Sequence, residues 1–301
     1  MAANGRRSTK LYIPHPIQPE VSICGVLEQY APDQRTMGRK LALVSGVLCS
    51  YFREKHSNLA HKDYLFQRRL AERLPFDSFR FDFRGNHETG GTWKQGAFQD
   101  DLEDIDAVVS YLKAKYGYEI ELIVGHSRGS LVAFRWISTT EEGRKVSAFI
   151  NVSARHRMRV KTEGAQHWEE AFKKQGYFEW KVTVARKQVI AKINPQSVED
   201  FCSWDTSFVW EQFPKDTDVL TIHGTADKIV PVSDAMIYAR ALSDRSPGTH
   251  SLHLMENADH NFTKRQDEVV KVILDWWEAR QRGEVTTGIW LTEINPSTAK
   301  L

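Results

Sequence analysis

The stretch ELIVGHSRGS, residues 121 to 130, restricts the possible folds of this chain more than any other. A mostly apolar run leads into a serine held between two glycines, and the segment that follows, RGSLVAFRWI, has helical character. A strand that passes into a helix through Gly-x-Ser-x-Gly forms a sharp elbow with the serine at its tip. Side chains at Gly125 and Gly129 would collide with the strand and the helix, and Ser127 takes a strained backbone conformation. The N-terminus of the following helix adds a partial positive field where an oxyanion would form. The plainer alternative is a serine that only caps a helix.

Around this elbow, short apolar runs alternate with longer periodic ones, the pattern of strands and crossover helices in a mostly parallel sheet. Candidate strands are VSICGVLEQY, KLALVSGVL, SFRFDF, IELIVG, VSAFINVS, DVLTIHG and HSLHLME. The clearest helix runs from Ala97 to Tyr116, with Phe98, Leu102, Ile105, Val109 and Leu112 at steps of three and four and acids in its first turns. A last helix spans about Gln266 to Arg280. From about Arg155 to Phe213 the alternation stops, and charged, aromatic-rich segments suggest an inserted helical cap. Its aromatics either pack the cap onto the sheet or face a pocket. Trp168, Phe172 and Trp180, with His126 beside the serine, are the candidates for pocket residues. The expected units are a core in two parts, 20–154 and 214–281, a cap at 155–213, and a C-terminal extension at 282–301.

A serine hydroxyl is a poor nucleophile until a base takes its proton, so a histidine and an orienting carboxylate are needed downstream. VLTIHGTAD is a strand and turn presenting Asp227, and LHLMENADH is the next strand and loop presenting His260. His223, His250 and His253 fall within or at the ends of strands and are poorer bases. Asp259 competes as orienter, but adjacent residues rarely point at each other's rings, which favours Asp227.

Composition removes other classes of function. The chain has 301 residues and a net charge of +2, with no global excess to attract polyanions. The local cluster Arg155, His156, Arg157, Arg159 and Lys161 lacks a stacking motif and reads as a solvated face, so no nucleic-acid partner is expected. No run reaches the roughly 18 apolar residues of a transmembrane helix. Cys24, Cys49 and Cys202 are odd in number and widely spaced, as expected for free thiols in a reducing, cytoplasmic setting. The histidines lack zinc-enzyme spacing, so no metal or other cofactor is expected. Oligomeric state leaves no signal in the sequence.

The ordered motifs FRFDFRGNHETGG, GHSRGS, NVSAR, HGTADKIVP and ENADHNF resemble the alpha/beta-hydrolase superfamily over about Ser22 to Arg280. They are most similar to its serine-aminopeptidase-like, monoglyceride-lipase-like and cinnamoyl or feruloyl-esterase-like branch. The resemblance implies an α/β fold with a mostly parallel eight-stranded sheet flanked by helices and a helical cap after the sixth strand. It also implies an oxyanion hole made by the backbone N–H groups of Val47 and Arg128. Two departures stand out. Ser45 replaces the histidine that usually precedes the glycine of the oxyanion strand, and Cys49 to Leu59 interrupt the join to the first helix. The expectation is a serine hydrolase of a small, medium-chain or aromatic acyl ester, working through Ser127, Asp227 and His260. The alternative is a weakly active or inactive homologue that binds ligand behind an altered oxyanion loop.

Overall fold

The computed structural model describes residues 5–47, 61–159, 165–185 and 187–291. The expected interruption at Cys49 to Leu59 therefore lies outside the described residues, as do Cys49 itself and Lys161.

Among the described residues nine strands form one sheet: β1 (Arg7–Pro14), β2 (Ser22–Gln29), β3 (Lys40–Val47), β4 (Asp77–Phe81), β5 (Glu119–Ser127), β6 (Ala148–Val152), β9 (Asp218–Gly224), β10 (His250–Met255) and β11 (Gly288–Ile289). They lie in the order β1-β2-β4-β3-β5-β6-β9-β10-β11. The first two pairings, β1 with β2 and β2 with β4, are antiparallel, and every later pairing is parallel. Eight strands make the expected sheet, and the ninth is a two-residue pairing that the C-terminal extension adds beside β10.

The period of two along the central strands sorts side chains to two cores. In β5, Ile123 joins one cluster while Leu122 and Val124 join the other, and β3 divides Leu43 from Ala42 and Val44 in the same way. The first core is covered by α2 (Phe98–Tyr116), α3 (Arg128–Thr139) and α7 (Val232–Ala241), through residues such as Val108, Phe134 and Tyr238. The second is covered by α1 (Gln67–Arg73) and α8 (Gln266–Gln281), through Leu70, Ile273 and Trp276. Burial on both faces explains why these parallel strands read as nearly continuous apolar runs. α2 carries Asp100 and Asp101 in its first turn and stops at Gly117, whose φ of 71° makes the left-handed cap.

The chain between β6 and β9 holds α4 (Ala165–Gln175), α5 (Pro195–Cys202) and the short α6 (Phe208–Glu211). In addition to the expected helices it contains an antiparallel hairpin, β7 (Phe178–Val184) with β8 (Lys187–Ile193). The basic cluster before it is solvated only in part: Arg157 and Arg159 are exposed, as expected, while Arg155 turns inward. Arg155 is buried and donates to the Ile229 carbonyl at 2.5 Å, and Arg157 pairs with the buried Asp234 at 2.9 Å. Among the described residues no helix is long and apolar enough to cross a membrane. Cys24 is a buried free thiol.

Candidate active site

The sheet register assembles the site. β5 ends at Ser127, whose φ of 54° and ψ of −118° lie outside the regions that side-chain-bearing residues favour. The strained turn depends on Gly125, because a Cβ there would lie 2.6 Å from Ser130 Cα and 2.9 Å from the Gly129 carbonyl carbon. Gly129 sits in the buried first turn of α3. Two strands away in the sheet, β9 ends at Gly224 and its turn carries Asp227; β10 follows it in the sheet, and its loop carries His260.

These turns bring three side chains into line. His260 Nε2 lies 3.0 Å from Ser127 Oγ, and its Nδ1–H donates to Asp227 Oδ2 at 2.7 Å. The proton on Nδ1 leaves Nε2 as the acceptor for the serine hydroxyl. Asp227 is fixed from behind by the N–H groups of Ile229 and Val230, each 2.8 Å from Oδ1. Burial alone would push its carboxyl up, but the neighbouring His260, His223 and these backbone donors outweigh that and hold it below its ordinary value. Asp259 instead uses Oδ1 to accept the N–H groups of Asn261 and Thr263, so it shapes its own loop.

Two further histidines flank this line. His126 is fully buried, and its Nε2–H donates to the His260 carbonyl at 2.9 Å. Burial, and then the nearby His260 ring, push it down to about 3, so it is neutral. This corrects the expectation that His126 lines a pocket: its ring packs against His260 and edge-on to Phe66, behind the base. His223 Nε2–H donates to the Val230 carbonyl at 2.9 Å and lies 3.4 Å from Asp227 Oδ2. Inside its strand, His223 reads in the sequence only as a poor base. An inward-facing position one turn before a loop aspartate was the available signal.

Val47, the last residue of β3, lies opposite Ser127 in the parallel register, and the Arg128 N–H opens α3. Both backbone groups therefore stand at the same edge as the serine. Past the segment outside the described residues, Lys62 fixes the returning chain. Its backbone N–H and ammonium both donate to Asp82, at 2.6 and 2.8 Å, and the ammonium also bonds Glu88. Among the described residues Cys24, Asp82 and Glu88 have the spacing of metal ligands, but the Lys62 ammonium already bridges the two carboxylates.

The aromatics expected at a pocket pack against other rings of the insertion and against Trp93. Trp168 packs with Phe172 and Phe178, at ring separations of 6.3 and 5.8 Å, and Trp180 packs with Trp93 at 5.7 Å.

Comparison with known proteins agrees with this architecture. The model of the prolyl oligopeptidase family matches residues 76–282, and the chain belongs to that family. An uncharacterized protein of Saccharomyces cerevisiae is 28% identical over 235 residues, 69% of this chain and 67% of the yeast protein. Among solved structures, the chain is similar to Est1E from Butyrivibrio proteoclasticus with ferulic acid bound, at 14% identity, covering 90% of this chain and 99% of that one, with a TM-score of 0.65. It is similar to the esterase Pf2001 of Pyrococcus furiosus at 15% identity, covering 90% and 92%, with a TM-score of 0.58. A structure from Agrobacterium tumefaciens classed with the alpha/beta hydrolases matches at 15% identity, covering 94% and 100%, with a TM-score of 0.61. The fold is that of the alpha/beta hydrolases, and the chain is a hydrolase of that superfamily.

Proposed function

For this member of the prolyl oligopeptidase family, we propose a serine hydrolase that cleaves carboxylic esters of small, medium-chain or aromatic acids. The observation that carries the reading is the hydrogen-bonded line from Ser127 Oγ through His260 to Asp227 at a strained strand-to-helix elbow. In this reading Ser127 Oγ bonds to the ester carbonyl carbon as His260 Nε2 takes its proton, and the carbonyl oxygen becomes an oxyanion. The N–H groups of Val47 and Arg128 receive that oxyanion, and Asp227 stabilises the imidazolium. The C–O bond to the alcohol then breaks as His260 protonates the leaving oxygen. Water, deprotonated by the same nitrogen, releases the acid and restores the serine.

The ester preference draws on the structural likeness to Est1E, which was solved with ferulic acid, and to the esterase Pf2001. It also draws on the aromatic insertion, 155–213, read as a cap in which Trp168, Phe172 and Trp180 contact the acyl group. The family's peptidase description makes peptide amides the competing substrates.

The test is turnover of p-nitrophenyl esters from acetate to octanoate, a hydroxycinnamate ester and matching anilides, with fluorophosphonate labelling mapped by mass spectrometry. Wild type is expected to turn over esters and label at Ser127, and Ser127→Ala to do neither. Anilide turnover equal to ester turnover would move the reading to a peptidase. Ligand binding without labelling would identify an inactive homologue.

A further inference from the structure

Arg128 enters the proposed chemistry only through its backbone N–H, yet its side chain is only 1% exposed. A guanidinium is costly to bury unless its donors are engaged. Here Nε donates to Asp101 Oδ2 at 2.6 Å, a terminal nitrogen donates to the Gln95 carbonyl, and the guanidinium carbon lies 4.2 Å from the centre of the Phe98 ring. All three partners belong to the chain entering α2 and its first turn.

The contacts continue into the insertion. Phe98 stacks on Trp204, just past α5, with ring centres 4.3 Å apart and planes 23° from parallel. Trp204 in turn meets the guanidinium of Arg135, 4.8 Å from its ring centre. Arg135 lies about two helical turns after Arg128 on α3. Its guanidinium also donates to the Asp205 carbonyl at 2.7 Å. A run of contacts thus leaves the elbow helix at Arg128, passes through Phe98 and Trp204, and returns to the same helix at Arg135. Gly96 tightens the middle of the run, since a Cβ there would meet Asp200 Cβ at 2.3 Å and the Ser197 carbonyl at 2.8 Å. α5 therefore lies directly against the backbone next to Gln95, whose carbonyl holds Arg128.

We infer that the Arg128 side chain is a positioning group that couples the seating of the insertion to the oxyanion-binding N–H of the same residue. The inference rests on the serine-hydrolase reading above. Misplacement of a reacting group by about 1 Å costs on the order of 100-fold in rate, and loss of one oxyanion donor costs about 10²–10³. An acyl group that holds the insertion in place would hold Trp204 on Phe98, Phe98 under Arg128, and the donor on the oxyanion.

The experiment is a double-mutant cycle on the full chain. Arg128→Leu, Arg128→Lys, Trp204→Leu and the Leu/Leu double variant are compared with wild type for fluorophosphonate labelling rate, kcat and KM on p-nitrophenyl butyrate, and melting temperature. Arg128→Leu keeps its backbone N–H, and is expected to lower kcat and labelling by about 100-fold with KM little changed, with partial recovery in Arg128→Lys. Trp204→Leu is expected to cost about tenfold in the wild-type background and little once Arg128 is gone. Wild-type labelling rates in a folded Arg128→Leu variant, or an equal Trp204→Leu effect in both backgrounds, would overturn the coupling. Should Arg128→Leu not fold, Arg128→Lys takes its place in the cycle. Failure of wild type to label at Ser127 removes the hydrolase reading itself, whereas a labelled wild type with indifferent Arg128 variants removes only this inference.

Discussion

The C-terminal edge of the sheet and the insertion between β6 and β9 place their side chains by different means. At the sheet edge, backbone ladders fix where β5, β9 and β10 end, and a residue a few positions past each end has little freedom left. Ser127, Asp227 and His260 meet there because strand order brings their turns together. In the insertion, Trp180 and Trp204 make ring contacts with residues distant in sequence, Trp93 and Phe98. Chain order predicts the first kind of placement and says little about the second.

The largest effect expected from this contrast is at the two neighbouring-strand aspartates. Asp227→Asn should lower kcat by about 10⁴-fold through the wrong imidazole tautomer, while Asp259→Asn should leave it within a small factor. Ester turnover of both variants checks this, and equal losses would break the claim that strand ends set the roles.

Next is Lys62, which ties the described chain after residue 60 to the end of β4. Lys62→Met leaves Asp82 buried without its cation and should cost about 3–5 kcal/mol in urea unfolding. A loss under 1 kcal/mol, on the order of a surface pair, would mean that the sheet edge is held without this ion pair.

Acid should act on the sheet's buried histidines. Burial pushes both His126 and His250 down to about 3, so they stay neutral in the fold and take up protons when it opens. Stability is therefore intact above the unfolded value near 6.5 and falls as pH drops from there toward about 3. At pH 5 each histidine should account for about 2 kcal/mol, read from unfolding at pH 7 and pH 5. His250→Gln should flatten part of that slope, and an unchanged slope would refute the assignment.

The smallest effect is expected in the insertion. Gly176 has a φ of 81° with no heavy atom within 4 Å of an added Cβ, so Gly176→Ala should cost only about 1 kcal/mol of backbone strain. A melting shift as large as that of Lys62→Met would show that the insertion is as tightly constrained as the sheet.

The same contrast explains what the sequence disclosed. The meeting of Ser127, His260 and Asp227 was legible because each belongs to a motif tied to a strand end. The strand β1 was not, since as an outer antiparallel strand it exposes alternate residues and has no sustained apolar run. The hairpin was hidden by its charged and aromatic composition, although FEWKVTV alternates in the manner of a strand. The contacts of Arg128's side chain left no trace, because an arginine after Ser127 reads as a surface residue until its partners near α2 are known. His126 was misread for the opposite reason: adjacency to the serine suggested the pocket, while strand alternation turned it toward the His260 loop.

The anchors at Val47 and Lys62 bear on how this region could change over evolution. Val47 is held in the β3–β5 ladder and Lys62 on Asp82. Change that spares both anchors therefore leaves β3 in register beside the strand that carries Ser127, whereas change at either anchor reaches the site.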